Sequence, residues 1–179
     1  MDTSKTILRT TLKLALAQLD PAVKAQWDAA MSAQVVAWWH IARPPVLAVF
    51  WPLPGEPDLS PAFAQLAEYG VQLALPVVIE RHQALAFAEW VPGEAMLADR
   101  MGVAVPAERR MMARPPSLLI PCLGFNAQRY RLGYGGGFYD RTLEQQPRPL
   151  TVGVAYACQL VQFVSAAHDV ALDLIITEA

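Results

Sequence analysis

The densest run of chemically capable residues in the chain is Arg131-Leu132-Gly133-Tyr134-Gly135-Gly136-Gly137-Phe138-Tyr139-Asp140-Arg141. It holds four of the ten glycines, two arginines, three aromatics and one carboxylate. Glycine lets backbone N–H groups come close to an anion and adopts positive φ without steric cost. Arginine meets phosphate oxygens with a planar fork of donors. Asp140, beside such a loop, can hold a Mg²⁺ that shares the phosphate charge. Together these residues point to a nucleoside-triphosphate site. The plainer alternative is a glycine turn between a strand and a helix, with the arginines in water and Asp140 paired to Arg141.

Two familiar phosphate fingerprints do not match. A Walker loop ends in Gly-Lys-Ser/Thr, whereas Phe138 and Tyr139 follow the glycines here. The dinucleotide fingerprint needs a third glycine where Phe138 stands.

Other residues have chemistry and a plainer reading side by side. Lys5 and Arg9 stand four apart in a helical pattern and so share a face. They are two cations able to reach a triphosphate across a cleft, or an ordinary solvated face continued by Lys13. Glu56 lies in a proline-rich loop just after a strand, as a solvated acid or as an acceptor for amino and amide groups. Asp169, next to His168, precedes the last strand, where a capping role is natural. His40 and His82 belong to no partner pattern. Cys122 and Cys158 form no Cys-x-x-Cys pair and no zinc spacing. Both are expected to be reduced, buried small side chains.

The elements that must position these groups follow from periodicity. Leu8, Leu12, Ala15, Leu16 and Leu19 predict an amphipathic helix over 4–19. Asp20-Pro21 ends it and starts a second helix that runs to about Trp39. Strands are expected at 46–50, 71–75, 84–90, 117–120, 151–155 and 172–177. Short helices are expected from Ser60 to Gly70, from Phe138, and over 158–164. Residues 93–114 read as irregular and arginine-rich. A loop of about 17 residues leads from Ile120 to Phe138, and connections longer than ~12 residues are commonly functional. Strands alternating with helices imply a mostly parallel sheet covered on both faces. Ligands of such sheets sit beyond the carboxyl ends of the strands, here the loops after Phe50, Ile120 and Ala155.

Composition sets the outer limits. The chain has 179 residues, 54% hydrophobic and 17% charged, which describes one globular domain over 1–179. A net charge of −2 argues against a broad nucleic-acid footprint. The first residues lack the basic start and apolar run of a signal peptide, and no stretch approaches the ~18 apolar residues of a membrane span. The expectation is a cytoplasmic protein, monomeric or weakly dimeric, without nucleic-acid or membrane partners.

The glycine segment resembles the signature of the 5-formyltetrahydrofolate cyclo-ligases, also called methenyltetrahydrofolate synthetases. In that family a loop of the form Arg-Leu-Gly-Tyr-Gly-Gly-Gly-Tyr-Tyr-Asp-Arg binds ATP, and this chain departs only by Phe138 for the first tyrosine. The resemblance extends to Lys5-Thr6-Ile7-Leu8-Arg9, to Phe50-Trp51-Pro52-Leu53-Pro54-Gly55-Glu56, and to His168-Asp169 with Leu172-Asp173 and Thr177-Glu178. It implies a three-layer α/β/α fold with a mostly parallel sheet. It also implies that ATP is bound by Lys5, Arg9, Arg131, Leu132, Gly133, Tyr134, Gly135, Gly136, Gly137, Phe138 and Tyr139, with Arg131, Lys5 and Arg9 catalytic. Glu56 would bind the pterin of the folate, beside Tyr134, the three glycines 135–137 and Phe138. Trp51 would be an apolar wall of that pocket or a core tryptophan. Asp140 and Asp169 would hold Mg²⁺.

The implied reaction is ATP-dependent closure of 5-formyltetrahydrofolate to 5,10-methenyltetrahydrofolate. A non-catalytic folate- or nucleotide-binding module on the same fold is the alternative. The chain departs from the family pattern at Val105, Asn126 and Ser117, where the family usually has acidic residues. Those departures concern the folate pocket and leave the phosphate and metal residues in place.

Overall fold

The computed structural model describes residues 3–179. Helix α1 spans Thr3–Ala17 and buries Leu12 and Leu16. It ends two residues before the periodicity does, and Ala15 is exposed. Asp20 caps the next helix, α2 (Pro21–Ala42): its Oδ1 accepts the Ala22 and Val23 N–H groups at 2.8 and 3.1 Å, with Pro21 in the first turn. Helix α2 stops where Arg43 turns left-handed, at φ 50°.

The strands that follow are β1 (Val46–Ala48), β2 (Gln72–Val77), β3 (Ala86–Trp90), β4 (Met96–Ala98), β5 (Ala104–Pro106), β6 (Met111–Met112), β7 (Ser117–Pro121), β8 (Gly124–Phe125), β9 (Arg131–Leu132), β10 (Leu150–Val154) and β11 (Leu174–Ile176). Helix α3 (Ser60–Glu68) joins β1 to β2, and α4 (Phe138–Glu144) lies between β9 and β10.

Seven strands form one sheet in the order β11-β10-β7-β1-β2-β3-β6. The first five run parallel, and β3 and β6 are added antiparallel at one edge. Strand alternation assigns the two faces. Leu47, Leu73, Leu75, Leu119, Val152 and Val154 pack with α1, α2 and α3. Ala48, Ala74, Leu118 and Ile120 face the other way, toward Leu143 and Tyr139 of α4. The sheet is therefore covered on both faces, thickly on one and by a single short helix over small alanines on the other. This is the expected mostly parallel α/β architecture in three layers.

Three local expectations need correction. Residues 93–114 are not irregular: β4 and β5 form a hairpin, and β6 extends the main sheet. Asp99 accounts for the hairpin tip, since its Oδ1 accepts the N–H groups of Met101 and Val103. The helix expected over 158–164 is only a 3₁₀ turn at Ala157–Gln159. Beyond it the Val161 N–H donates to the Phe125 carbonyl, so this segment packs along β8 instead of coiling. The strand expected at 84–90 begins at Ala86 and runs antiparallel to its neighbour.

Strand order reverses beside β1. The chain moves from β1 to β2 in one direction, and from β7 to β10 and β11 in the other. A parallel sheet opens a crevice at such a point, at the carboxyl ends of its strands.

Candidate active site

A cavity of about 570 Å³ occupies that crevice. Phe50 and Trp51 enter it from the end of β1, Pro121 from the end of β7, and the whole run Arg131–Asp140 from the loop before α4. Lys5 and Arg9 reach it from α1, and Ala166, His168 and Asp169 from the segment before β11. The tip of the β4–β5 hairpin forms the opposite lip through Asp99, Met101 and Val103. All the residues expected to bind ATP, the folate or Mg²⁺ thus line one cavity. The rim after Ala155 contributes only through its far part.

The glycine loop is shaped by packing beneath it as much as by the glycines. The Arg131 side chain is only 7% exposed and lies under Gly133, where an added Cβ would come within 2.3 Å of its Nη1. Its Nη2 pairs with Asp140 Oδ1 at 3.2 Å, and its guanidinium sits 5.2 Å from the Tyr139 ring centre. Gly135 turns at φ +100°, a conformation that side chains with a Cβ rarely adopt. The Phe138 ring folds over Gly136.

Arg9 donates from Nε to the Gly133 carbonyl at 2.8 Å, tying α1 to the loop. Lys13 stands 5.2 Å from the Tyr134 ring centre. Behind the loop, the buried Thr142 hydroxyl donates to the Phe138 carbonyl at 2.7 Å and accepts the Leu85 N–H at 2.9 Å. Arg114 donates to the carbonyls of Thr142, Gln145 and Pro147 and so caps the end of α4.

Four carboxylates line the cavity, and their partners differ. Asp140 faces Arg131. Asp169 pairs with Lys5 Nζ at 2.9 Å and accepts the Ala166 N–H at 2.7 Å. Partial burial opposes its ionisation, but the Lys5 ammonium and the Ala166 N–H outweigh it and hold its carboxyl below the usual range. Asp99 is spent on its own loop. Glu56 has no cation beside it among the described residues. It is 5% exposed, accepts the Leu53 N–H at 2.8 Å and is hydrogen-bonded by the Tyr134 side chain. Burial pushes its carboxyl up to about 7 against those two donors.

Trp51 is 38% exposed and meets Trp90 edge-on at 6.1 Å, half in the core and half in the cavity. Cys122 is buried, and burial pushes its thiol up to about 12, so it is an inert packing residue. Cys158 is exposed, contrary to expectation. Among the described residues no group of three His, Cys, Asp or Glu is gathered as a metal cluster. Asp140 and Asp169 are instead two separate carboxylates on one cavity, a number that suits a Mg²⁺ brought in on phosphates.

The sequence did not disclose the hairpin lip. The one available signal was Asp99 three residues before Gly102, whose φ is +76°: an Asx-type turn that marks a hairpin tip.

A crevice at the switch point of a doubly covered parallel sheet, floored by a glycine loop and bordered by a buried acid, defines an α/β protein that binds a nucleotide beside a second, partly apolar ligand. The chain belongs to the 5-formyltetrahydrofolate cyclo-ligase family, whose model matches residues 1–178. It is 32% identical over 157 residues to the 5-formyltetrahydrofolate cyclo-ligase of Escherichia coli K12, an alignment spanning 80% of this chain and 86% of that one. A shorter alignment with the cyclo-ligase of Mycoplasma pneumoniae reaches 48% identity over 64 residues, covering 34% of this chain and 37% of that one. Among solved structures, a 5,10-methenyltetrahydrofolate synthetase from Mycoplasma pneumoniae superposes with a TM-score of 0.84 at 27% identity, covering all of both chains. The synthetase of Aquifex aeolicus superposes at 0.83 and 25% identity, over 97% of this chain and 89% of that one.

Proposed function

We infer that the protein uses ATP to cyclise 5-formyltetrahydrofolate to 5,10-methenyltetrahydrofolate, with release of ADP and phosphate. The observation that carries this reading is that the glycine loop and the buried Glu56 open into one cavity. A triphosphate on the loop and a pterin on the acid would then be neighbours. An N-formyl carbon is a poor electrophile because amide resonance feeds it. Transfer of the γ-phosphoryl group to the formyl oxygen makes that oxygen a leaving group. N10 then attacks the activated carbon, and phosphate departs as the ring closes.

Such a reaction asks the protein for alignment and charge neutralisation, and the substrate brings both reacting groups. Lys5 and Arg9 cover the phosphates from α1, while the N–H groups of residues 133–137 approach from the loop. Arg131 acts from below, holding Gly133 and Asp140 in place. Glu56 accepts the pterin amino and amide hydrogens. Trp51, Tyr134 and Phe138 wall that ligand.

Mg²⁺ fits as a companion of ATP, with Asp140 and Asp169 the residues that would hold it. When bound, it would neutralise charge on the transferring phosphate. The ion pair to Lys5 holds the Asp169 carboxyl below its usual range, and the pair to Arg131 fixes the place of Asp140 on the cavity wall.

On this reading the protein is one domain that takes small-molecule partners, a monomer or weak dimer in the cytoplasm. No helix among the described residues is long and apolar enough to cross a membrane.

The test is turnover of 5-formyltetrahydrofolate with MgATP, followed by the absorbance of the methenyl product. Absence of product with intact binding of both ligands would favour a non-catalytic binding module.

A further inference from the structure

Arg141 ends the glycine motif, yet neither the phosphate chemistry nor the metal site uses it. The carboxylate beside it, Asp140, pairs with Arg131 and not with Arg141. The Arg141 guanidinium turns back along α4, and Nη1 donates to the Gly136 carbonyl at 2.9 Å. Its Nη2 lies 3.1 Å from where a Cβ on Gly137 would stand. The side chain belongs to a shallow groove between α4 and residues 79–86, whereas Gly136 and Gly137 line the nucleotide cavity. The guanidinium therefore grips the loop from behind.

The Gly136–Gly137 peptide is trans. A planar trans peptide points its N–H opposite to its C=O. A carbonyl drawn back toward Arg141 thus sends the Gly137 N–H forward into the cavity. That N–H has no hydrogen-bond partner among the described residues. Without the clamp, a peptide between two glycines turns over at little steric cost and would aim a carbonyl dipole at the phosphates.

We propose that Arg141 is a positioning residue for phosphoryl transfer: it holds the Gly136 carbonyl so that the Gly137 N–H is presented to the nucleotide phosphates. The proposal rests on the nucleotide reading of the cavity. It needs a directional donor, which a guanidinium supplies and alanine does not.

The test compares wild type, Arg141→Ala and Arg141→Lys in turnover, in calorimetric titration with Mg²⁺ and a non-hydrolysable ATP analogue, and in melting temperature. Arg141→Ala is expected to lower kcat/KM for ATP by about tenfold or more, while KM for 5-formyltetrahydrofolate stays within about twofold. Analogue affinity should fall alongside, and lysine, which still offers a charged donor, should recover part of the loss. Unchanged kinetics toward ATP in Arg141→Ala would overturn the proposal. So would equal losses for both substrates with a lowered melting temperature, which would make Arg141 a helix brace alone. A wild type without turnover refutes the functional reading instead, and the analogue titration then decides the clamp. Weaker binding by Arg141→Ala supports it, while equal binding, or none by either protein, overturns it.

Discussion

At the residue scale, Glu56 is the acid whose environment differs most from water. Its carboxyl stands at about 7 because of burial, against a usual 4.5. Between those values the folded chain holds a proton that the unfolded chain has released, so this group costs stability as pH rises through that window. The cost is fully present above about 7 and amounts to roughly 3 kcal/mol at most, by the usual conversion of a pKa shift. Glu56→Gln should therefore raise the melting temperature at pH 8 and leave it little changed at pH 4. The same substitution swaps an acceptor edge for a donor. It should weaken 5-formyltetrahydrofolate binding by about 1–3 kcal/mol and spare MgATP, as separate calorimetric titrations would show. Affinity of the wild type for the folate should rise with pH through about 7, since only the ionised form can accept pterin hydrogens on both oxygens. Asp140 makes the complementary case. Asp140→Asn keeps a hydrogen-bond partner for the buried Arg131 but loses the charge for a metal. It should lower kcat by about tenfold or more, with the dissociation constant of the folate unchanged in equilibrium titration.

The elements decide how well those residues are held. The loop before α4 is stiffened by Arg131 below it, Arg9 beside it and Thr142 behind it. Gly133→Ala would set a methyl carbon 2.3 Å from Nη1 of Arg131, so the guanidinium must shift and its pairing with Asp140 is disturbed. Overpacking of this kind costs about 1–3 kcal/mol. The variant should melt lower and show a raised KM for ATP, with the folate constant less affected. The glycine loop was legible in the sequence because its residue types announce phosphate chemistry in one contiguous run. Lys5, Arg9 and Asp169 had equally plain readings and were singled out by the family resemblance. The fold brings all of them to one cavity. Helices α1 and α2 were legible because apolar spacing and Asp20-Pro21 are local signals. The β4–β5 hairpin was not, because its two strands are three residues each, too short to show an alternation, and pair only with each other. Residues 158–164 misled for the opposite reason. Their apolar content suited a helix, yet pairing of Val161 with Phe125 gave the backbone another use. That Arg131 would lie largely buried under the loop, paired to Asp140, could not be read from spacing at all.

At the scale of the whole molecule, the cavity is walled by segments from nearly the full length of the chain, from Lys5 to Asp169. Ligands that bind there cross-link these segments, and they stabilise the native state by mass action. A non-hydrolysable ATP analogue with Mg²⁺, at about a hundred times its dissociation constant, adds about 2.7 kcal/mol. For a chain of this size that corresponds to a melting temperature higher by roughly 5–10 °C, readable by calorimetry. An unchanged melting temperature at that concentration would contradict a nucleotide site spanning these elements. The strand order has a further consequence for how the protein is made. Strand β1 lies between β2, which follows it closely, and β7, which comes only after the β3–β6 edge has been synthesised. At roughly 5–20 residues per second, the flank of β1 that will receive β7 stays unpaired for several seconds on the ribosome. Throughout that interval a hydrophobic strand edge is open to wrong partners, and the α1 cations wait without the loop they serve. Nascent chains arrested before Ser117 should therefore be sticky and chaperone-dependent. Chains tethered through an added C-terminal linker long enough for Asp169 to clear the exit tunnel should be the first that can take up nucleotide.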